Sequence, residues 1–278
     1  MSEFLKPRTA DELRRVALEG RFLAGGTDLL VQIRAGRCEP CLIDLSNLTN
    51  PPPCVSETDG YLELSALAPI SRVVFQLAGR LPAIASAAAT FGSLQIRNRA
   101  TIGGNLANAS PAADMVPPLV AADAVALLDG PGGSRELSVR DLASGPGHST
   151  LVPGEWISLL RVPAPKGKEG YRKLGGRLGM AISIVALAWR WTVDDAGVLG
   201  DVKLAAGSVA PTVVRCRDAE NELDGHRPSG EVIKKAVTAI RSAVSPIDDV
   251  RASAWYRKEA LGGLLEEALL ATACGAQK

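Results

Sequence analysis

The chain has 278 residues, of which 46% are hydrophobic and 22% charged, and its 31 Lys and Arg against 30 Asp and Glu give a net charge of +1. This length exceeds one average domain, so two or three packed units are expected. The balanced charge argues against a nucleic-acid-binding or membrane-surface protein. Because no apolar run reaches the ~20 residues that span a bilayer and the N-terminus lacks a signal peptide's apolar core, we expect a cytoplasmic protein.

The first third of the chain alternates short helices with short strands. Thr9 and Glu12 form a capping box that opens a helix, which we expect to end at Gly20. A short strand at 22–24, a helix at 29–34 and a buried strand at 42–45 follow. The run of three prolines at 51–53 cannot join a central strand and marks a subdomain boundary.

The remainder of the chain continues this mixture of strands and helices. We predict strands at 61–66, 123–128, 155–162, 182–193 and 202–209, a loop at 130–133, and helices after Pro69, Pro82, Pro228 and Arg251. The Pro-, Gly- and Lys-rich stretch at 163–170 marks a second junction. The whole is predicted to be α+β in three units: 1–52, 53–165 and 166–278.

Two diglycine stretches stand out as candidate ligand-binding loops. Gly103 and Gly104 lack a Cβ, so the backbone there can approach a ligand closely. The short polar side chains around them are Thr101, Asn105, Asn108 and Ser110. Ser110 and Pro111 are predicted to begin a helix as N-cap and first helical residue, and free N–H groups at a helix start attract phosphates.

The second stretch places Gly25 and Gly26, followed by Thr27 and Asp28, between an apolar run and a predicted helix. Two such loops suit a dinucleotide with two charged groups. Neither a G-x-x-x-x-G-K-[ST] phosphate loop nor a G-x-G-x-x-G after a strand is present, which argues against ATPase and Rossmann interpretations.

The five cysteines do not indicate a metal site. Cys38 and Cys41 form a C-x-x-C pair, but a zinc site or an iron–sulfur cluster needs four good ligands, and the chain has only two His. Without a secretory context a disulfide framework is also not expected. We predict ordinary thiols, no metal and no catalytic acid–base group.

Several motifs together resemble one family. They are Ala24-Gly25-Gly26-Thr27-Asp28-Leu29, Gln95-Ile96-Arg97-Asn98, Thr101-Ile102-Gly103-Gly104-Asn105, the Ala-Ser-Pro-Ala-Ala-Asp run at 109–114, and Asp249-Val250-Arg251-Ala252-Ser253. In this order they resemble the medium, FAD-carrying subunit of the molybdenum hydroxylases, the xanthine dehydrogenase and carbon monoxide dehydrogenase family. The resemblance implies a two-part FAD-binding domain of the vanillyl-alcohol-oxidase type and a C-terminal α+β domain with an antiparallel sheet.

The resemblance also implies cofactor-binding residues. Backbone N–H groups of the two loops would hold the FAD diphosphate, and Thr101 and Ser110 would add hydroxyl donors. Asp114 would accept from ribityl or ribose hydroxyls, with a surface carboxylate as the alternative. Lys173 would lie near the flavin ring, with a solvated lysine as the alternative, and Ile157 would close over adenine or flavin unless it is simply a core residue. Phe91 is a further candidate contact.

At the level of function, the resemblance implies electron transfer within a heterotrimer that dimerises. A large subunit would carry molybdopterin, a small subunit two [2Fe–2S] clusters, and this chain would pass electrons through FAD to NAD or another acceptor. This chain lacks the cysteine sets that the clusters need. The sequence departs from the family's charged pattern at 175–181, where it has Gly-Gly-Arg-Leu-Gly-Met-Ala. This departure leaves the acceptor open.

Two alternatives stay open at the level of sequence. A stand-alone FAD oxidase of the vanillyl-alcohol-oxidase type would need its own substrate pocket and base, often with a flavin linked to His or Cys, and no His lies near either diglycine loop. A scaffold that has lost flavin would have damaged loops, whereas both are intact.

Overall fold

The computed structural model describes residues 3–49, 51–177 and 179–275, with side chains to residue 273. Three larger sheets and one two-stranded sheet organise these residues. The strands are β1 (Glu3–Leu5), β2 (Arg21–Leu23), β3 (Cys41–Asp44), β4 (Val55–Thr58), β5 (Tyr61–Ser65), β6 (Val125–Gly130), β7 (Gly133–Ser138), β8 (Ala143–Gly145), β9 (His148–Ser149), β10 (Trp156–Pro163), β11 (Lys168–Gly175), β12 (Ser183–Val193), β13 (Leu199–Gly207) and β14 (Val214–Arg215).

Helices cover the faces of these sheets. They are α1 (Ala10–Val16), α2 (Leu29–Arg34), α3 (Ile70–Leu77), α4 (Pro82–Thr90), α5 (Leu94–Arg97), α6 (Ile102–Ala107), α7 (Val116–Ala121), α8 (Arg217–Leu223), α9 (Gly230–Ser242) and α10 (Ala254–Gly275), with 3-10 turns at Leu45–Asn47 and Val139–Asp141. Within the described ranges, no helix has the length and apolar character that crossing a membrane requires.

The first sheet is parallel, in the order β1-β3-β2, and α1 packs on it through Leu13 and Ala17. Thr9 caps the helix as predicted, because its Oγ1 accepts the Glu12 N–H at 3.2 Å. The reciprocal bond of the capping box differs, since Glu12 Oε2 accepts the N–H of Arg8, at 2.7 Å, and not that of Thr9. The helix ends at Val16, earlier than the predicted stop at Gly20.

The second sheet is antiparallel, in the order β4-β5-β10-β6-β7, and α3, α4, α6 and α7 contribute to its core. The predicted loop at 130–133 is a tight hairpin turn in which Gly130 pairs with Gly133, and β7 is a strand that the sequence pattern did not reveal. Most of β7 is exposed at the sheet edge, so its residues lack the apolar alternation of a half-buried strand.

One predicted helix start is wrong. Ser110 and Pro111 do not begin a helix; α6 begins earlier, at Ile102, and the next helix, α7, begins at Val116. The cause is Thr101, whose Oγ1 accepts the Gly104 N–H at 3.1 Å and so caps a helix whose first turn contains the diglycine.

The third sheet is antiparallel, in the order β11-β12-β13-β14, and α8, α9 and α10 cover it. Trp191, Leu204, Ile240 and Leu265 are fully buried or nearly so in the core between sheet and helices. The α+β fold with a C-terminal antiparallel sheet and helices is therefore confirmed.

Candidate functional site

A cleft of about 920 Å³, including space open to solvent, lies where the first two sheets meet. Its lining contains the residues at 21–29 and most of those at 100–108. The predicted site residues that line it are Ala24, Gly25, Gly26, Thr27, Asp28, Leu29, Thr101, Gly103, Gly104, Asn105 and Ile157, together with Phe91. The two diglycine stretches, distant in sequence, therefore face one space.

The segment between β2 and α2 offers a row of free main-chain donors, which we call the 25–29 cradle. Within the described residues, the N–H groups of Gly25, Gly26, Thr27, Asp28 and Leu29 donate no hydrogen bond. The first bond of α2 runs from the Leu30 N–H to the Gly26 carbonyl at 3.1 Å. Gly26 has φ +73°, which a side chain would disfavour. Successive outward N–H groups of this kind bind anions.

Close packing around the cleft requires glycine at two positions. A Cβ on Gly25 would lie 2.1 Å from the carbonyl oxygen of Arg99, and one on Gly103 would lie 2.8 Å from the Ala66 Cβ. The cradle therefore touches the backbone just before α6. The absence of a side chain at Gly25 therefore lets the two sides of the cleft pack together, besides leaving room for a ligand.

The opposite side of the cleft is formed by residues 101–108, which we call the 101–108 wall. Its main-chain N–H groups were expected to be free for a ligand, and they are not. The N–H groups of Ile102, Gly103 and Asn105 donate to the carbonyls of Ala68, Ala66 and Thr101, at 3.3, 2.8 and 3.1 Å. The Gly104 N–H is taken by Thr101 Oγ1. What this wall offers a ligand is its side chains: the Thr101 hydroxyl proton and the amides of Asn105 and Asn108, all three of which line the cleft.

Four predicted site residues are not among those that line the cleft. Ile102 is fully buried beneath it, and Ser110 lines a separate small recess. Asp114 and Lys173 face each other, with Lys173 Nζ 2.6 Å from Asp114 Oδ2. Burial raises the pKa of the Asp114 carboxyl although the Lys173 ammonium opposes the shift.

The ion pair makes two further contacts, and the second connects it to the cleft. The Tyr171 hydroxyl donates to Asp114 Oδ1 at 3.1 Å, and Lys173 Nζ donates to the Thr90 carbonyl at 3.2 Å. Thr90 precedes Phe91, which lines the cleft. Burial, followed by the Asp114 charge, raises the pKa of Tyr171 well above its ordinary value, so this hydroxyl stays a neutral donor.

The sequence interpretation missed one end of the cleft. Phe22 and Trp156 both line it and form an edge-to-face pair with ring centroids 5.9 Å apart. Glu155 also lines it, but the Arg135 guanidinium holds this carboxylate at 2.6 Å and lowers its pKa. The one signal in the sequence was position, since Glu155 and Trp156 directly precede the predicted site residue Ile157.

The cleft fits an FAD diphosphate. The 25–29 cradle presents unpaired N–H donors to an anion, the 101–108 wall supplies hydroxyl and amide groups, and no His or Cys occurs among the described residues that line the cleft. Nowhere in the described ranges do three or more His, Cys, Asp or Glu side chains form a group that could hold a metal ion. Cys38, Cys41, Cys54 and Cys216 are free thiols.

Comparison with known families gives two matches that together span nearly the whole chain. Residues 1–165 match the FAD-binding domain in molybdopterin dehydrogenase, and residues 169–272 match the C-terminal domain of the carbon monoxide dehydrogenase flavoprotein. The junction between the matches falls in the Pro-rich stretch between β10 and β11.

Individual relatives agree with these matches. The chain is 30% identical to the glyceraldehyde dehydrogenase medium chain of Sulfolobus acidocaldarius, over 86% of this chain and 85% of that one. It is 28% identical to the xanthine dehydrogenase FAD-binding subunit of Escherichia coli O157:H7, over 86% and 84%.

Among solved structures, a chain of carbon monoxide dehydrogenase from Hydrogenophaga pseudoflava superimposes with a TM-score of 0.92 at 26% identity, covering 98% of this chain and 97% of that one. The cleft, its paired glycine segments and these matches lead to one assignment: the chain belongs to the family of FAD-binding medium subunits of molybdenum hydroxylases, and its cofactor is FAD.

Proposed function

We propose that this chain is the flavoprotein subunit of a heterotrimeric molybdopterin-dependent hydroxylase or dehydrogenase. Electrons would arrive from the [2Fe–2S] clusters of a small partner subunit and leave from FAD to NAD or another acceptor, while a large molybdopterin-binding subunit acts on the substrate. The observation that carries the proposal is the row of unpaired N–H groups in the 25–29 cradle, opposite the polar side chains of the 101–108 wall.

The cradle and the wall have different tasks in this proposal. The N–H groups of residues 25–29 would hold the diphosphate, because they are consecutive, unpaired within the described residues and close to the start of a helix. The Thr101 hydroxyl and the amides of Asn105 and Asn108 bind from the other side. Bound FAD supplies the redox chemistry, and the protein supplies binding, orientation and electrostatics.

The ion pair of Asp114 and Lys173 belongs to the ring end of the cofactor in this proposal. Asp114 precedes Met115, whose N–H donates to Asn105 Oδ1 at 3.2 Å, so the carboxylate lies directly behind the 101–108 wall. It would accept a hydroxyl of the cofactor's ribityl chain. The Lys173 side chain contacts the Thr90 carbonyl, next to Phe91, and would favour negative charge on a ring in front of Phe91. Ser110 would add a hydroxyl at this end.

The other end and the domain division complete the proposal. Ile157 would contact the adenine or the flavin through its backbone and apolar side chain, beside Trp156. The division into units 1–52, 53–165 and 166–278 puts the cofactor between the first two, and we propose a cytoplasmic complex in which two heterotrimers associate.

A stand-alone oxidase would make different demands on the site. Such an enzyme needs a base and a substrate pocket beside the flavin, often with a covalent link to His or Cys. The charged residues that line the cleft in the described ranges are Arg21, Asp28 and Glu155, and Arg135 already holds Glu155. This leaves Asp28, whose pKa burial raises, as the carboxylate of the cleft lining without an ion-pair partner in the described ranges. No His or Cys among these lining residues could form the covalent flavin link, which supports the electron-transfer function.

The test is co-expression of the full chain with its two partner subunits, followed by anaerobic reduction. A panel of an aldehyde, a purine, an N-heterocycle and carbon monoxide is added to the complex, and the absorbance of iron–sulfur clusters and flavin is followed. We expect one substrate to bleach both, and NAD or another acceptor to restore the flavin bands. Turnover of an alcohol or aldehyde by the isolated FAD-loaded chain would instead establish the oxidase.

A further inference from the structure

The helices α3 to α5 of the second unit expose basic and apolar side chains and contribute no carboxylate. Residues 64–113 contain no Asp, Glu or Lys, and their charged side chains are all arginines. We define the α3–α5 face by its exposed members Arg72, Phe75, Leu94, Ile96 and Arg99. Phe75 is 83% exposed and Leu94 59%. Large apolar side chains this exposed, with a charged surround, mark interaction sites.

Main-chain bonds connect the start of α3 to the beginning of the 101–108 wall. The Ile70 N–H at the start of α3 donates to the Ala100 carbonyl at 2.9 Å, and Pro69 forms a β-bridge with Thr101. These bonds fix the start of α3 beside Arg99. Residues 92–99 run between Phe91 and Ala100, which both line the cleft. A partner seated on this face would therefore contact the segment that joins two residues of the cleft lining.

The charge of the face is not neutralised within the described residues. Arg80 pairs with Glu57 at 2.6 Å, and Arg97 donates to the Phe91 carbonyl at 2.9 Å, so both are used internally. Arg72 and Arg99 are exposed, and neither forms an ion pair or side-chain hydrogen bond within the described ranges. Each therefore leaves an uncompensated positive charge at the surface.

We propose that the α3–α5 face binds the small iron–sulfur subunit through an acidic surface with an apolar centre; this inference rests on the proposed function. A [2Fe–2S] cluster held by cysteine thiolates adds negative charge to its protein. Arginines around an apolar contact orient such an acidic partner and speed its association. Electrons would then enter beside the segment that leads into the 101–108 wall.

A second copy of this chain fits the face less well. In a two-fold symmetric contact the same patch meets itself, so Arg72 and Arg99 would face arginines with no carboxylate at hand. Charge complementarity therefore selects an acidic partner over self-association.

The test uses the FAD-loaded full chain and the purified iron–sulfur subunit. Arg72→Glu with Arg99→Glu reverses the charge of the face, and Arg227→Glu with Lys234→Glu makes the same change in charge at exposed positions in the C-terminal unit. We expect the first double variant to associate at least about tenfold more slowly at low salt, and the second to match the wild type. Phe75→Ser with Leu94→Ser is expected to speed dissociation instead.

Three readouts decide the inference. Association and dissociation rates are measured by surface plasmon resonance, the rate of flavin reduction by stopped-flow in the reconstituted complex, and FAD content by absorbance. The inference is overturned if both charge-reversal variants associate with the iron–sulfur subunit at the same rate. It is also overturned if the variants of the face lose self-association of the chain and keep partner binding. If wild-type chain neither holds FAD nor binds the iron–sulfur subunit, the proposed function itself fails.

Discussion

Lys173 Nζ lies 2.6 Å from Asp114 Oδ2, and the two side chains are only 6% and 9% exposed. Lys173 is on β11 of the third sheet, whereas Asp114 is in the turn between α6 and α7 of the second unit. The Thr90 carbonyl, at the end of α4, accepts a further bond from the same ammonium. This one pair therefore connects the C-terminal sheet to the segment that forms the cleft wall.

Lys173→Met should destabilise the protein by about 3–5 kcal/mol, because it leaves the buried Asp114 carboxylate without its partner. Chemical unfolding at neutral pH measures the loss. Arg172→Met is the control, since Arg172 is exposed and pairs only loosely with Glu267 at 3.5 Å. Adding Asp114→Asn to Lys173→Met should restore part of the stability; no restoration would contradict a charge-based cause.

The same variant should show a characteristic pH dependence. Burial already raises the pKa of Asp114, and removal of the Lys173 ammonium removes the main influence that opposes the shift. A carboxyl whose pKa is raised in the folded state holds its proton better there, so stability falls as the pH rises through that pKa. Lys173→Met should therefore be less destabilised at about pH 5 than at about pH 8. An equal loss at both would argue against this account.

Gly25→Ala should impair the cleft itself. The new Cβ would lie 2.1 Å from the Arg99 carbonyl oxygen, so the two walls must separate. We expect a loss of about 1–3 kcal/mol of stability, as for other overpacked sites, and weaker FAD binding in a fluorescence titration. Gly79→Ala is the control, because nothing lies within 4 Å of its Cβ position. Wild-type FAD affinity in Gly25→Ala would show that close approach of the walls is not needed.

Asp249 should make the C-terminal unit sensitive to acid. The Arg251 N–H at 2.8 Å, and then the Arg257 guanidinium at 2.7 Å and the Ala252 N–H, lower the pKa of its carboxyl. A lowered pKa contributes stability that is present above the ordinary pKa of 3.8 and is lost as the pH falls through the folded-state value.

The measurement for this prediction is the melting temperature between about pH 5 and pH 2.5. Asp249→Asn should lower it near neutral pH and flatten its further decline in acid. Asp195→Asn, at an exposed turn position, serves as control and should follow the wild type. A parallel decline of the wild type and Asp249→Asn would rule out Asp249 as a source of acid sensitivity.

The cysteines should differ sharply in reactivity. Burial raises the pKa of the Cys216 thiol to about 12, whereas Cys38 is exposed. Because the thiolate is the reactive form, iodoacetamide at mildly alkaline pH should label Cys38 and spare Cys216 in the folded chain. Peptide mass spectrometry with and without denaturant gives the answer. Labelling of Cys216 under native conditions would mean that the core around α8 opens.

The sequence predicted about half of the strands and helices, those for which local signals sufficed. The Thr9 cap and the helices after Pro69 and Pro82 lie where the pattern indicated, since caps and prolines act on neighbouring residues. The edge strand β7 escaped because its exposed residues carry no apolar alternation.

The site was predicted in outline, and tertiary contacts altered its details. The sequence indicated two diglycine loops with free N–H groups, and only the 25–29 cradle has them. The N–H groups of Ile102 and Gly103 donate to the carbonyls of Ala68 and Ala66, residues that are distant in sequence, and no local pattern encodes such bonds. The approach of Gly25 to Arg99 is equally non-local.

A crystal structure of the full chain with bound FAD would show whether the 25–29 cradle holds the diphosphate. We predict diphosphate oxygens within hydrogen-bonding distance of the N–H groups of residues 25–29, with Thr101 and Asn105 on the opposite side. FAD bound elsewhere, with the cradle N–H groups still without an acceptor, would contradict this prediction.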